Sequence, residues 1–374
     1  MESKYWIRNP SYDLLFFCAI WWLPLSLFIF GATITASTAI FFLMYHLFIR
    51  VPHFAATLNF TYLHKENREY YRANWVKYFA LPILILVAYA VRHRFSPLSL
   101  YSILLVTIAK VWGMQHIGLQ NYGILSLYRG RSTARADALL PKFERAVFYE
   151  LIALAIFRDV FQIWHLHPDE YLLKGVSWAL FGVFGFTCAA YLTRIWMQRK
   201  IAPVSFPLIL YFATAVAVMI HWPIYDRLGA AIGGGMIFFY VFNGQHCLAY
   251  LGLQFHMESN KKRSQLEFGS LAEGSSGFAR FYAPLAVGAA TLLAMATYWY
   301  LRSNGSLPAD VPSSLQALTV LDGIFVAHYY IESLTWKFSN AHNRAVVLPL
   351  LKHPAPVLSE APSWLRSETL TGKP

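Results

Sequence analysis

The chain has 374 residues, of which 57% are hydrophobic, 17% aromatic and only 13% charged. Soluble domains carry about 25% charged residues, so the composition argues against a cytosolic enzyme with a water-facing surface, and also against disorder, which needs low hydrophobicity and high charge. The net charge of +12 would suggest nucleic acid in a soluble domain, but in a membrane protein the same excess marks the loops that stay in the cytoplasm.

Apolar runs of about 20 residues match the thickness of a bilayer core. Ten are legible in chain order: 12–31, 34–62, 76–92, 97–127, 146–164, 173–198, 203–222, 228–256, 280–301 and 311–337. The fifth is the most polar, with Glu150, Arg158 and Asp159 inside it. The N-terminal stretch MESKYWIRNPSYD lacks an apolar h-region with a small-residue cleavage site, so the first run is expected to stay as a span. Cys18, Cys188 and Cys247 all sit in apolar runs and no CxxC occurs, so each reads as a small buried hydrophobe.

Loop charges test this topology. With the N-terminus inside, 23 Lys and Arg residues fall on the cytoplasmic side, against five outside: Arg92, Arg94, Lys174, Arg227 and Arg302. That asymmetry alternates loop by loop and supports an all-α, polytopic bundle of about ten transmembrane helices with both termini cytoplasmic. Residues 1–337 form one transmembrane domain and 338–374 a cytoplasmic tail. The longest loop, 257–279, is polar and Gly/Ser-rich and reads as a connector. There is no GxGxxG, Walker loop or HExxH to support nucleotide or zincin chemistry.

Ionisable groups inside spans are costly, and their default reading is functional. Five histidines fall well inside the runs: His46, His53, His116, His246 and His328. Counted from the cytoplasmic ends of their spans, the last four lie nine to eleven residues deep. At 1.5 Å per residue they share one level to within roughly 3 Å. Neutral imidazoles converging at one depth suit iron, copper or zinc, with iron favoured for redox work in a nitrogen-rich site. The competing reading is that each histidine hydrogen-bonds across a helix interface and binds nothing. His46, seven residues before His53 on the same face, is open between a further metal ligand, a proton relay and a packing residue.

Polar neighbours stand one turn from these histidines: Asn243 before His246, Gln120 after His116 and Glu332 after His328. That spacing suits orientation of an imidazole, or direct carboxylate ligation by Glu332. Arg50 lies between His46 and His53. Beside a metal it needs an anionic partner, Glu332 or a substrate group, so Arg50 and Glu332 are the candidate catalytic pair. Lys110 and Asp322 each precede their span's histidine by six residues, point off its face, and are expected to pair with each other.

With QHIGLQNYG and HYYIESLTWKF carrying His116 and His328, the pattern resembles the bacterial and archaeal membrane β-carotene dioxygenases that form retinal. It is also similar to uncharacterised His-rich bacterial membrane proteins. The resemblance lies in architecture and in the histidine set, and this chain has more spans than that family leads one to expect. It implies an intramembrane iron held by His53, His116, His246 and His328 without cysteine.

The expectation is therefore an iron-dependent oxygenase or oxidoreductase of the membrane, taking an apolar lipid or isoprenoid and molecular oxygen. A bacterial inner membrane is expected if the source is prokaryotic. The alternatives are a b-type haem electron-transfer protein and a proton- or ion-coupled transporter, although neither inverted repeats nor broken helices stand out in the sequence. Nucleic acid has no part in any of these readings.

Overall fold

The computed structural model describes residues 5–23, 49, 51–63, 65–96, 98–132, 137–164, 170–199, 205–232, 235–267 and 313–351. Among them the chain is all-α, with no strand. The helices are α1 (Pro10–Phe16), α2 (Val51–Leu58), α3 (Lys65–Ala73), α4 (Leu81–Val91), α5 (Leu100–Arg131), α6 (Leu140–Ile163), α7 (Glu170–Gln198), α8 (Phe206–Ile232), α9 (Gly235–Glu267), α10 (Ser313–Thr335), α11 (Ala341–Val346) and α12 (Leu348–Leu351). A π-helical turn, Asn59–Leu63, continues α2, and another, Val76–Ala80, leads into α4. His46, Arg50, the predicted ninth span (280–301) and the side chain of Asp322 lie outside the described residues.

Most predicted runs among the described residues correspond to helices, with ends shifted in either direction. The fifth starts at Leu140 rather than 146, and the fourth continues to Arg131. At 1.5 Å per residue, 32-residue α5 is about 48 Å long, more than the roughly 30 Å hydrocarbon core of a bilayer. Its N-terminus is capped by Ser99, whose side chain accepts from the Ser102 N–H, and Arg129 and Arg131 sit in its last turn, where cations complement the helix dipole. Arg131 also donates to the backbone carbonyls of Trp6, Ile7 and Leu351, fastening the N-terminal segment and the tail to the end of α5.

The first run departs from the expectation of one continuous span. Helix α1 stops at Phe16, and a 3-10 turn, Ala19–Trp21, follows Cys18. Gln245, fully buried on α9, occupies the break: its Nε2 donates to Phe17 O at 2.6 Å and its Oε1 accepts from Ile20 N at 2.7 Å. One buried amide thus satisfies backbone groups that the interruption leaves without helical partners. A broken first segment is a feature the sequence did not reveal.

The core is packed where α5, α6, α8 and α9 meet, around Tyr128, Phe148, Leu151, Tyr211 and Val218. Helix α4 lies against α10, and α10 against α5. Gly252 lets α9 approach α1 closely: a Cβ there would meet Phe16 Cβ at 2.6 Å. Among the described residues two stretches, Leu100–Arg131 and Lys174–Gln198, are long and apolar enough to cross a membrane. Only 17% of the most apolar stretch of the second is buried. A core helix of a soluble protein would be mostly buried.

Candidate metal centre

Helices α2, α5, α9 and α10 each bring one histidine to a common point. A potential ligand atom from each of His53, His116, His246 and His328 lies within 4.8 Å of the other three. His53 Nε2 and His328 Nε2 are 2.8 Å apart, and His116 Nε2 and His246 Nε2 are 3.3 Å apart. On one ion with bonds of about 2.1 Å, opposite imidazole nitrogens stand about 4.2 Å apart and adjacent ones about 3 Å. The two shortest approaches match the adjacent spacing within about 0.3 Å, and the 4.8 Å bound on the set lies near the opposite spacing. The four histidines could therefore hold a metal ion, and all four side chains are almost wholly enclosed.

The rings pack edge to face, with centroids 4.6 Å apart for His53 and His328, and 4.9 Å for both His53–His246 and His116–His246. Aromatic side chains hold the cluster from outside. Phe54 lies 4.7 Å from the His328 ring, and Tyr250 lies 4.6 Å from that of His53. Tyr329 stacks on His116 at 4.7 Å. Gly113, one turn before His116, leaves space for Tyr329: a Cβ there would meet Tyr329 Cε2 at 3.2 Å.

Glu332 is buried beside the imidazoles, its Oε2 3.3 Å from His116 Nε2 and its Oε1 3.6 Å from His328 Nε2. Thr57 Oγ1 donates to Glu332 Oε1 at 2.6 Å. The Tyr250 hydroxyl stands beside Glu332, and Gln254 Nε2 donates to that hydroxyl at 2.9 Å. Glu332 therefore stands where the sequence suggested, next to the histidines. Its Arg50 partner lies outside the described residues.

The other polar positions separate into two groups. Gln120 does reach the site, but its Nε2 donates to the backbone carbonyl of His246 at 3.0 Å, so it ties α5 to α9 rather than orienting the His116 ring. Asn243 is half-buried one turn before His246, and among the described residues no hydrogen bond joins it to the rings. Lys110 is half-buried on α5, and its expected pairing with Asp322 lies outside the described side chains. Thr57, Tyr250 and Tyr329 are the site residues that sequence reasoning missed. Thr57 and Tyr250 each follow a cluster histidine by four residues, the same spacing that had already singled out Gln120 and Glu332.

Comparison with protein-family models, with curated proteins and with solved structures returns no match. The four-histidine cluster is accordingly the feature from which function must be argued.

Proposed function

We propose that this protein is a polytopic membrane metalloenzyme of about ten spans, with both termini cytoplasmic, whose histidine quartet holds iron for an oxygenase or oxidoreductase reaction on an apolar lipid or isoprenoid. The observation that carries the reading is the convergence of four buried imidazoles, from four separate helices, within 4.8 Å. Such a nitrogen-rich donor set fits iron, and also copper or zinc. Bound iron would supply electron-transfer and oxygen chemistry.

The chain's own residues would do the rest. Burial of His53, His246 and His328 excludes water and fixes the rings. Phe54, Phe325 and Tyr329 provide apolar walls suited to a hydrocarbon substrate entering from the bilayer, and Phe54 and Phe325 rings lie 5.3 Å apart. The exposed apolar side chains of α4 and α7, among them Ile83, Leu84, Trp178 and Phe186, suit contact with lipid. A second-metal role for His46 and a substrate-anion role for Arg50 belong to the same proposal.

The geometry favours a non-haem ion over a b-type haem. Four nitrogens gathered this closely leave no space for a porphyrin plane between any two of them. Metal analysis and an absorption spectrum of the detergent-purified chain test the reading. One iron per chain without a Soret band is the expected result. A Soret band would replace it with the haem reading. Absence of metal in the intact chain, with no change in His116→Ala or His328→Ala, would leave transport or a structural role.

A further inference from the structure

We propose that Glu332 is a fifth protein ligand of this metal, and that Thr57 and Tyr250 hold its carboxylate in the ligating position; the assignment rests on the metalloprotein reading above. All four histidine helices carry a polar side chain four residues further on: Thr57 after His53, Gln120 after His116, Tyr250 after His246 and Glu332 after His328. In a helix that spacing stacks one residue above the other on the same face. Three of the four polar groups meet. Thr57 donates to Oε1 of Glu332 at 2.6 Å, and the Tyr250 hydroxyl stands beside the same carboxylate.

This clamp directs the carboxylate at the histidines. Thr57 engages Oε1, while Oε2 stands 3.3 Å from His116 Nε2. Neighbouring ligands on one ion are about 3 Å apart when the bonds are about 2.1 Å, so Oε2 is already close to the separation that shared ligation requires. A group that merely oriented an imidazole would bond to the ring nitrogen turned away from the metal. Oε2 instead approaches Nε2 of His116, the nitrogen that also faces His246. Ligation by four imidazoles and one carboxylate adds a hard oxygen donor, which suits iron, manganese or zinc better than copper(I). A six-coordinate ion would then keep one position for a small molecule.

The test is titration of the purified, metal-stripped full chain with cobalt(II) alone, followed by its visible absorption and by competition for affinity. The wild type is expected to bind one cobalt ion, with Glu332→Gln more than about 100-fold weaker, beyond the roughly 10–100-fold that loss of a group merely orienting a ligand costs, and with its visible bands shifted. Thr57→Val and Tyr250→Phe, which leave the carboxylate in place, should still bind but with weaker affinity and bands shifted in the same direction. Wild-type affinity and spectrum in Glu332→Gln would overturn ligation by Glu332, and unchanged behaviour of both hydroxyl variants would overturn the clamp, even if Glu332→Gln failed to fold. Should His116→Ala lose cobalt while Glu332→Gln keeps it unchanged, only the fifth-ligand assignment falls. Failure of the wild type to bind any cobalt would instead remove the metalloprotein reading itself.

Discussion

Thr57 Oγ1 and Glu332 Oε1 lie 2.6 Å apart, one helical turn along α2 and α10 from the 2.8 Å approach of His53 and His328. Two matched levels of contact require the two helices to run in the same direction. Helix α9 follows the same rule, with His246 at the upper level and Tyr250 at the lower. The site is thus two stacked layers, imidazoles above and oxygen-bearing side chains below, built by segments of common polarity.

Gln245 offers a test of the broken first segment. Gln245→Leu removes both partners of the break, leaving Phe17 O buried and Ile20 N half-buried without them. Each buried polar group stranded in this way costs about 1–3 kcal/mol. The expected loss is several degrees or more in thermal unfolding of the detergent-solubilised protein. Gln245→Glu keeps an acceptor for Ile20 N but, when ionised, sets a fully buried carboxylate against Phe17 O, so near neutral pH it should be no more stable than Gln245→Leu. Equal stability of all three would show that the break does not depend on this amide.

The histidines were legible because an imidazole in an apolar run is chemically conspicuous, and because their depths can be counted from span ends. Thr57 and Tyr250 were not conspicuous. A threonine in a helix usually bonds its own preceding turn, as Thr57 also does to His53 O at 3.3 Å, and a tyrosine in a span usually packs. Their role emerges only when a third helix delivers Glu332. Gln120 was found for its spacing, yet its amide serves the backbone of α9, because a long flexible side chain can reach past the ring beside it. The interruption after Phe16 was hidden for a different reason: the sequence stays apolar from Leu14 to Leu23, and the group that sustains the break is more than two hundred residues away.

Three glycines of α5 and α9 should respond differently to alanine. Gly123 has open space around it, so Gly123→Ala should stabilise the helix by up to about 1 kcal/mol. Gly113→Ala gains the same helix propensity but pushes on the movable end of the Tyr329 ring at 3.2 Å. Its stability should stay near wild type, while the displaced ring alters the packing on His116 and hence metal affinity. Gly252→Ala would meet Phe16 Cβ at 2.6 Å, an atom fixed to its backbone, and overpacking of that kind costs about 1–3 kcal/mol. Thermal unfolding of the three variants should rank Gly123→Ala above Gly113→Ala above Gly252→Ala.

Acid should loosen the contacts of His342 and of Asp137 in two separate steps. Burial holds the His342 imidazole below its usual value near 6.5, and its ring stacks on Tyr70 at 4.0 Å with Nε2 3.0 Å from Asn67 Oδ1. Because the folded state favours the neutral ring, this contribution is complete above about pH 6.5 and is lost as pH falls through the lowered folded value. Desolvation pushes Asp137 upward, but Arg194 at 2.6 Å, the Leu139 N–H and Gln198 outweigh it and hold the carboxyl below its usual value. Its contribution is present above about pH 4 and lost as pH falls further. Hydrogen exchange across Ala341–Val346 should therefore accelerate first, and the α6–α7 end only in stronger acid. His342→Gln should flatten the first step alone, and Asp137→Asn the second.

Phe186 distinguishes lipid from water as the surroundings of α7. Its side chain is 76% exposed on α7, in the middle of the apolar stretch Lys174–Gln198. In a water-soluble fold, Phe186→Lys would remove an exposed apolar ring at almost no cost to stability. In a spanning helix, a lysine at the centre adds roughly 2.5–3.5 kcal/mol to the free energy of membrane insertion. The four-histidine cluster lies on α2, α5, α9 and α10, so the substitution disturbs none of its residues. Phe186→Lys should reduce the membrane-integrated fraction several-fold, measured as alkali-resistant protein in isolated membranes, whereas Phe186→Leu should match wild type. An unchanged membrane fraction in Phe186→Lys would show that this face of α7 does not meet lipid, and would remove α7 from the set of spanning helices.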